Sequence, residues 1–243
     1  MPIRQICNIT GKETVIFYSL RSSWVILAAI TMLNGLAGWW ALHQEPVVNR
    51  ALQMIFYFFS GTTMISSVLY GMRAIAEEKN TGTLELLLTS PISEYQIVLG
   101  KFFANLGFLS AQLLVSLPIV FFAIQYGNGS IGQVIAGYIG LLVLAGGCTS
   151  LMMFYSSIAP SQIFAAALGG ANIVIFLLMG FFSPYLSPPL KNIIREFSFY
   201  VRFSDFEKGA IVIRHIIFFL SICILYLYSA SMVLTSRYWS KNR

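Results

Sequence analysis

From Phe102 to Leu190 the chain contains no Asp, Glu, Lys, Arg or His. A water-soluble domain cannot carry so long a charge-free stretch, because about 25% of its residues are charged and lie at its surface. A bilayer can hold it. A run of ~20 apolar residues closes its backbone hydrogen bonds as a helix and shows only side chains to lipid, and the stretch has room for three such runs with short turns. Composition extends the conclusion to the whole chain: 57% of its 243 residues are hydrophobic and 10% are charged. The formal charge of +6 then belongs to a membrane protein, whose basic residues gather at span ends on the inner side. The lipid bilayer is an expected partner and nucleic acid is not.

Six apolar segments, near 23–42, 51–72, 102–126, 133–157, 162–182 and 211–235, are each long enough to cross ~30 Å of hydrocarbon as a helix. The expected fold is all-α: one transmembrane domain over residues 1–243 with six spans. An even number of spans returns both termini to one side. With the N-terminus inside, the inner basic residues are Arg4, Lys12, Arg21, Arg73, Lys79, Lys101, Arg237, Lys241 and Arg243. The outer ones are Arg50, Lys191, Arg195, Arg202, Lys208 and Arg214. The excess lies inside, and the aromatic and basic tail 237–243 suits an inner-surface anchor. The expected location is the cell (inner, cytoplasmic) membrane with both termini cytoplasmic.

Residues 1–22 carry Ile6, Ile9, Val15, Ile16, Phe17 and Leu20 among polar residues and fit an elbow helix in the interface; a plain leader to the first span is the alternative. The segment lacks the features of a cleavable signal peptide. Residues 183–210 form the largest outer loop. Pro184, Pro188 and Pro189 forbid a continuous helix there, and a short helix is expected over 190–200. Cys7, Cys148 and Cys223 are scattered and odd in number, which excludes a disulfide framework and metal-ligand spacing. His43 and His215 lie near outer span ends without a partner at ligand spacing. No metal site, cofactor site or catalytic set is expected.

Residues 73–101 form a charged, amphipathic island inside this apolar chain. Arg73, Glu77, Glu78 and Lys79 are expected to extend the second span into water as a charged helix, with Thr81-Gly82 as its break. Thr83 can cap a new helix in which Leu84, Leu87 and Leu88 form an apolar stripe opposite Glu85. Pro91 ends that helix, and Ser93 starts another that leads into the third span. Leu86-Leu87-Leu88 in an aqueous loop needs cover from the membrane surface or a partner, so the pattern reads as a docking element rather than an ordinary solvated loop.

The run Glu77-Glu78-Lys79-x-Thr81-Gly82-Thr83-Leu84-Glu85-Leu86-Leu87-Leu88-Thr89-x-Pro91-Ile92-Ser93, followed by Ile97-Val98-Leu99-Gly100-Lys101, resembles the permease subunits of type-2 ABC exporters, and among them the gliding-motility-type permeases. Phe203-x-x-Phe206-x-x-Gly209-x-Ile211 before the last span and Lys12-Glu13 with Phe17-Tyr18 in the elbow carry further likeness. The family often has Pro shortly before its first span, where this chain has Ser22-Ser23. The resemblance implies a dimer with a second copy or a paralogue, and two copies of an ABC ATPase on the cytoplasmic side. It implies that Glu77, Glu78 and Thr81 through Leu88 form the ATPase-coupling element, and that substrate moves by alternating access. ATP and Mg would be bound by the partner. This chain has no G-x-x-x-x-G-K-[ST] loop to cradle phosphates.

Two further faces have open readings. Ser60, Thr63 and Ser67 share one side of the second span, and the fifth carries Gly169, Gly170 and Asn172 among alanines. Such residues line a substrate path or dimer seam, or simply allow close packing; the resemblance places spans two and five near the seam. A charge-poor interior suits a lipid-like, amphiphilic or apolar-peptide cargo. Two other classes compete with the permease: a secondary transporter or channel, which usually keeps ionisable groups within the membrane, and a non-transporting assembly subunit of a surface or motility apparatus.

Overall fold

The computed structural model describes residues 2–82, 93–127 and 129–241. All regular structure among the described residues is helical. Helix α1 (Pro2–Ser19) ends at Leu20, and α2 (Arg21–Gln44) is the first span. α1 continues through Gly11 despite that residue's low helix propensity, because its Ile6, Ile9 and Phe17 face finds cover on another helix. α3 (Val48–Gly71) is followed by a turn over residues 72–75 and the short α4 (Ala76–Thr81). The expected single charged extension of the second span is therefore broken by that turn.

The third apolar segment is two helices, α5 (Glu94–Val115) and α6 (Leu117–Gly127). Pro118 has no N–H to donate to the carbonyl of Leu114, so the helix cannot run through regularly. Ser116 at the break donates its hydroxyl to Leu113 O at 2.7 Å and lies 3.0 Å from the Tyr138 hydroxyl. α7 (Ile131–Ile158) and α8 (Gln162–Phe182) are the fourth and fifth spans. A 3-10 turn at Ser183–Tyr185 leads to α9 (Pro188–Phe197) and α10 (Phe199–Glu207), and α11 (Ile213–Lys241) is the sixth span. Ser198 splits the expected outer-loop helix in two: it ends α9 and caps α10, accepting from the N–H of Val201.

Six helices are long and apolar enough to cross a membrane. They pack around α7, of whose most apolar window 67% is buried, against 22% for α2 and 17% for α8. The main core joins Leu52, Phe56 and Phe59 of α3, Leu144 and Met152 of α7, Phe199, Phe203 and Phe206 of α10, and Phe219 of α11. The outer faces of α2 and α8 keep Trp24, Trp39, Phe164 and Ile175 exposed, as lipid or a protein partner in the membrane requires. Close approach to α7 depends on its small residues. A Cβ at Gly137 would lie 2.5 Å from Phe56, and one at Gly140 2.6 Å from Phe206. The two ends of the bundle differ in character. One carries α1, α4 and the start of α5; the other carries α9 and α10.

Candidate functional site

At the end of the bundle that carries α4, the arm is bolted into the core from two sides. The first bolt joins α4 to α7. A helix leaves its first N–H groups and last carbonyls without intrahelical partners. Here the N–H groups of Ile75 and Ala76 donate to Ser156 Oγ of α7 at 3.0 and 2.9 Å, and that hydroxyl donates to Met72 O at 3.2 Å. In return, Lys79 donates its ammonium to the carbonyls of Ser157, Ala159 (3.0 Å) and Ser156 (3.4 Å) at the C-terminus of α7. A cation is favourable at the negative end of a helix dipole. Each helix thus satisfies the open end of the other. The end of α3, just before that turn, lies close on α7 as well, since a Cβ at Gly71 would meet Met152 at 2.5 Å. Arg73 adds a tie to α2, donating to Ser22 Oγ at 2.7 Å.

The second bolt is ionic. Lys101 Nζ of α5 lies 2.9 Å from Glu13 Oε1 of α1 and 2.8 Å from Glu78 Oε1 of α4. The lysine side chain is 4% exposed and the two carboxylates 16% and 21%. An ammonium so deeply placed is stable only when paired, and the cost of removing the cation from such a set is several kcal/mol. α1 is held against α5 at the same level. Thr10 Oγ1 donates to Gly100 O at 3.2 Å, and a Cβ on Gly100 would meet Ile9 at 2.6 Å. α5 itself starts with a capping box between Ser93 and Gln96.

Of the sequence-derived coupling residues, Glu77 and Glu78 lie in α4 and are half-buried, while Thr81 and Gly82 form its exposed end. Gly82 takes a φ of +72°, which glycine adopts without strain, and donates its N–H to Lys79 O. Thr83, Leu84, Glu85, Leu87 and Leu88 lie outside the described residues. Glu78 shares its lysine with Glu13 of α1, which lies 88 residues before Lys101 in the chain. Lys79 and Ser156 were missed as a pair. A lone Lys at the end of a charged run and a Ser in an apolar span give no signal of each other.

The span residues proposed for a path or seam have these places. Ser60, Thr63 and Ser67 are buried within the chain; Ser60 and Ser67 donate to carbonyls of their own helix, Tyr57 O and Thr63 O. Gly169 is buried against Met152 and Tyr155, and a Cβ on Gly170 would lie 3.8 Å from Val68. Asn172 donates from Nδ2 to the Tyr155 hydroxyl at 3.0 Å. A polar ladder also crosses the bundle: Thr62 donates to Asn34 Oδ1 at 2.8 Å, and Gln112 donates to Ser66 Oγ at 2.8 Å.

The opposite end holds a second charged group. Arg202 Nη2 pairs with Glu196 Oε2 at 2.8 Å, and its guanidinium carbon lies 3.9 Å above the Phe218 ring. Its Nη1 lies 3.2 Å from His215 Nδ1, and His215 Nε2 lies 2.7 Å from Asp205 Oδ2. Guanidinium only donates, so Nδ1 accepts and the imidazole proton sits on Nε2, donating to Asp205. His215 therefore ties α11 to α10 rather than standing alone. Glu207 is 7% exposed, and burial pushes its carboxyl up to about 7 against the opposing pull of Lys208. Its Oε1 has no hydrogen-bond partner among the described residues.

The chain belongs to the ABC-2 transporter family: the family described as ABC-2 family transporter protein matches residues 35–236. It is a multi-pass membrane component of an ABC transporter, whose ATPase is a separate subunit. No curated protein matches the chain.

Proposed function

We propose that this chain is the membrane-spanning subunit of an ATP-driven exporter in the cell membrane, with both termini cytoplasmic. A separate ABC ATPase docks on the segment that begins with Glu77 and continues through Leu88. Two permease chains and two ATPase subunits make the complete transporter, and closure of the ATPase pair switches the spans between inward and outward access. What carries the reading is the fixing of α4. Its Glu78 shares Lys101 with Glu13 at 2.8 and 2.9 Å, and its Lys79 and the Ser156 hydroxyl join it to α7. An exposed loop with no task would not be tied to three helices through buried charge. A docked partner can move spans only through an arm that does not yield on its own.

The test is a pull-down of the detergent-solubilised chain, tagged at its tail, with ATPase activity assayed on the eluate. Co-purification of an ABC ATPase that a Glu78→Ala, Leu87→Ala double variant loses is the expected result. Absence of any ATPase from the unsubstituted chain under mild detergent would overturn the proposal.

A further inference from the structure

The geometry points to α7 as the rod that carries movement of the arm to the opposite end of the bundle, with Lys79 and Gln133 as its end fittings. The inference rests on the proposed coupling of α4 to an ATPase. It goes beyond that reading by naming how the signal crosses the membrane.

Three observations carry it. The first is attachment at the arm end. Lys79 reaches three carbonyls of the last turn of α7 and its following residue, and Ser156 uses its hydroxyl three times on residues 72–76. The second is attachment at the far end. Gln133, 5% exposed in the first turn of α7, donates from Nε2 to Glu207 O at 2.7 Å and to Asn49 O at 3.0 Å. It thereby holds the last residue of α10 and the start of α3 together. Gly209, at φ +87°, places the following turn so close that a Cβ there would lie 3.1 Å from the Gln133 backbone. The third is stiffness between these points. α7 runs 28 residues without interruption, about 42 Å at 1.5 Å per residue. It is also the most buried span. A close-packed interior does not deform locally, so displacement at one end appears at the other.

The other route out of the arm is weaker. Lys101 ties α4 to α5, but α5 stops at Ser116 ahead of Pro118, and a break of this kind absorbs a push as bending. α3 is separated from α4 by the turn over residues 72–75. Spatial continuity by itself does not establish coupling, so the experiment reads movement at the far end while interrupting the rod at each end in turn, with Lys79 remote from the reporter.

A single reporter cysteine replaces exposed Lys208, next to the residue that Gln133 holds, in a chain with Cys7→Ser, Cys148→Ala and Cys223→Ala. The complex with its ATPase is reconstituted in nanodiscs, and maleimide labelling rates are compared with and without ATP plus vanadate. Trapping is expected to change the labelling rate of the otherwise unsubstituted complex. Gln133→Leu is expected to keep the ATPase bound and hydrolysing while abolishing that change. Lys79→Met is expected to abolish it from the other end, and Lys79→Arg to restore it. A merely structural role for Gln133 would not separate hydrolysis from far-end movement. The inference is overturned if a folded Gln133→Leu or Lys79→Met complex retains the full change in labelling, or if trapping leaves Lys208→Cys unchanged in the reference complex. If no ATPase binds the reference chain at all, the proposed function falls and the rod falls with it; retained binding with an uninterrupted response removes the rod alone.

Discussion

Lys101 shows how one residue can decide the form of a whole end of the molecule. It supplies one positive charge to two carboxylates from two other elements, in a place where water is nearly excluded. Lys101→Met removes the cation and leaves Glu13 and Glu78 facing each other. It is expected to cost about 3 kcal/mol of stability, read as a lower melting temperature of the detergent-solubilised chain. Glu13→Gln leaves a one-to-one pair with Glu78 and is expected to cost much less. At the other end, Glu207 gives a pH dependence. Its folded carboxyl is raised to about 7 from an ordinary 4.5, so the folded state holds a proton that the unfolded state has already released. Stability is therefore fully present below about pH 4.5 and declines as pH rises through 7, by about 3 kcal/mol. Melting curves across that window should flatten in Glu207→Gln, and an unchanged slope would show that another group is responsible. The sequence identified Glu78 by its place in a motif. It could not show that Lys101 was its partner, because a charge at the start of an apolar span is equally well explained by the membrane surface.

At the scale of elements, small residues on α7 set how close the other helices come. Gly140→Val would drive its side chain into Phe206 and Phe203. It is expected to destabilise the fold by about 1–3 kcal/mol, the usual range for an overpacked core. Gly107 on α5 has open space where a Cβ would stand, so Gly107→Val is the matched control and should melt close to wild type. Of the two breaks that departed from the expected elements, one has a local cause and the other does not. Pro118 splits the third segment, a signal present in the sequence but outweighed in the reading by the apolar run around it. The turn over residues 72–75 has no breaker residue of its own. It exists because Ser156, far along the chain, offers a hydroxyl to the N–H groups of Ile75 and Ala76. A helical pattern read along one segment contains no information about such a donor–acceptor match.

The whole molecule is a six-helix membrane bundle with distinct charged groups at its two ends. Its path through the bilayer can be checked without knowing any cargo. Cys7 is exposed in α1, and Tyr185, 87% exposed, lies beyond the fifth span. In sealed vesicles of known orientation, a membrane-impermeant maleimide should label Cys7 from one side and Tyr185→Cys only from the other. Labelling of both from the same side would contradict an odd number of crossings between them.

Composition, the charge-free run 102–190 and the six apolar segments by themselves determined the solvent, the helical class and the number of candidate spans, because in lipid a run of ~20 apolar residues closes its backbone hydrogen bonds as a helix. The 77–101 motif marked the segment that we propose as the docking element. Tertiary structure alone decided which charges are solvated and which are buried, that α7 and not another span lies at the centre, and that both ends of α7 are held by side-chain bonds to other helices. Those outcomes depend on pairs such as Lys101 with Glu13, Lys79 with Ser157 and Gln133 with Glu207. Their members are separated by many residues, and their energies arise only when packing brings them within hydrogen-bonding distance and removes the competing water.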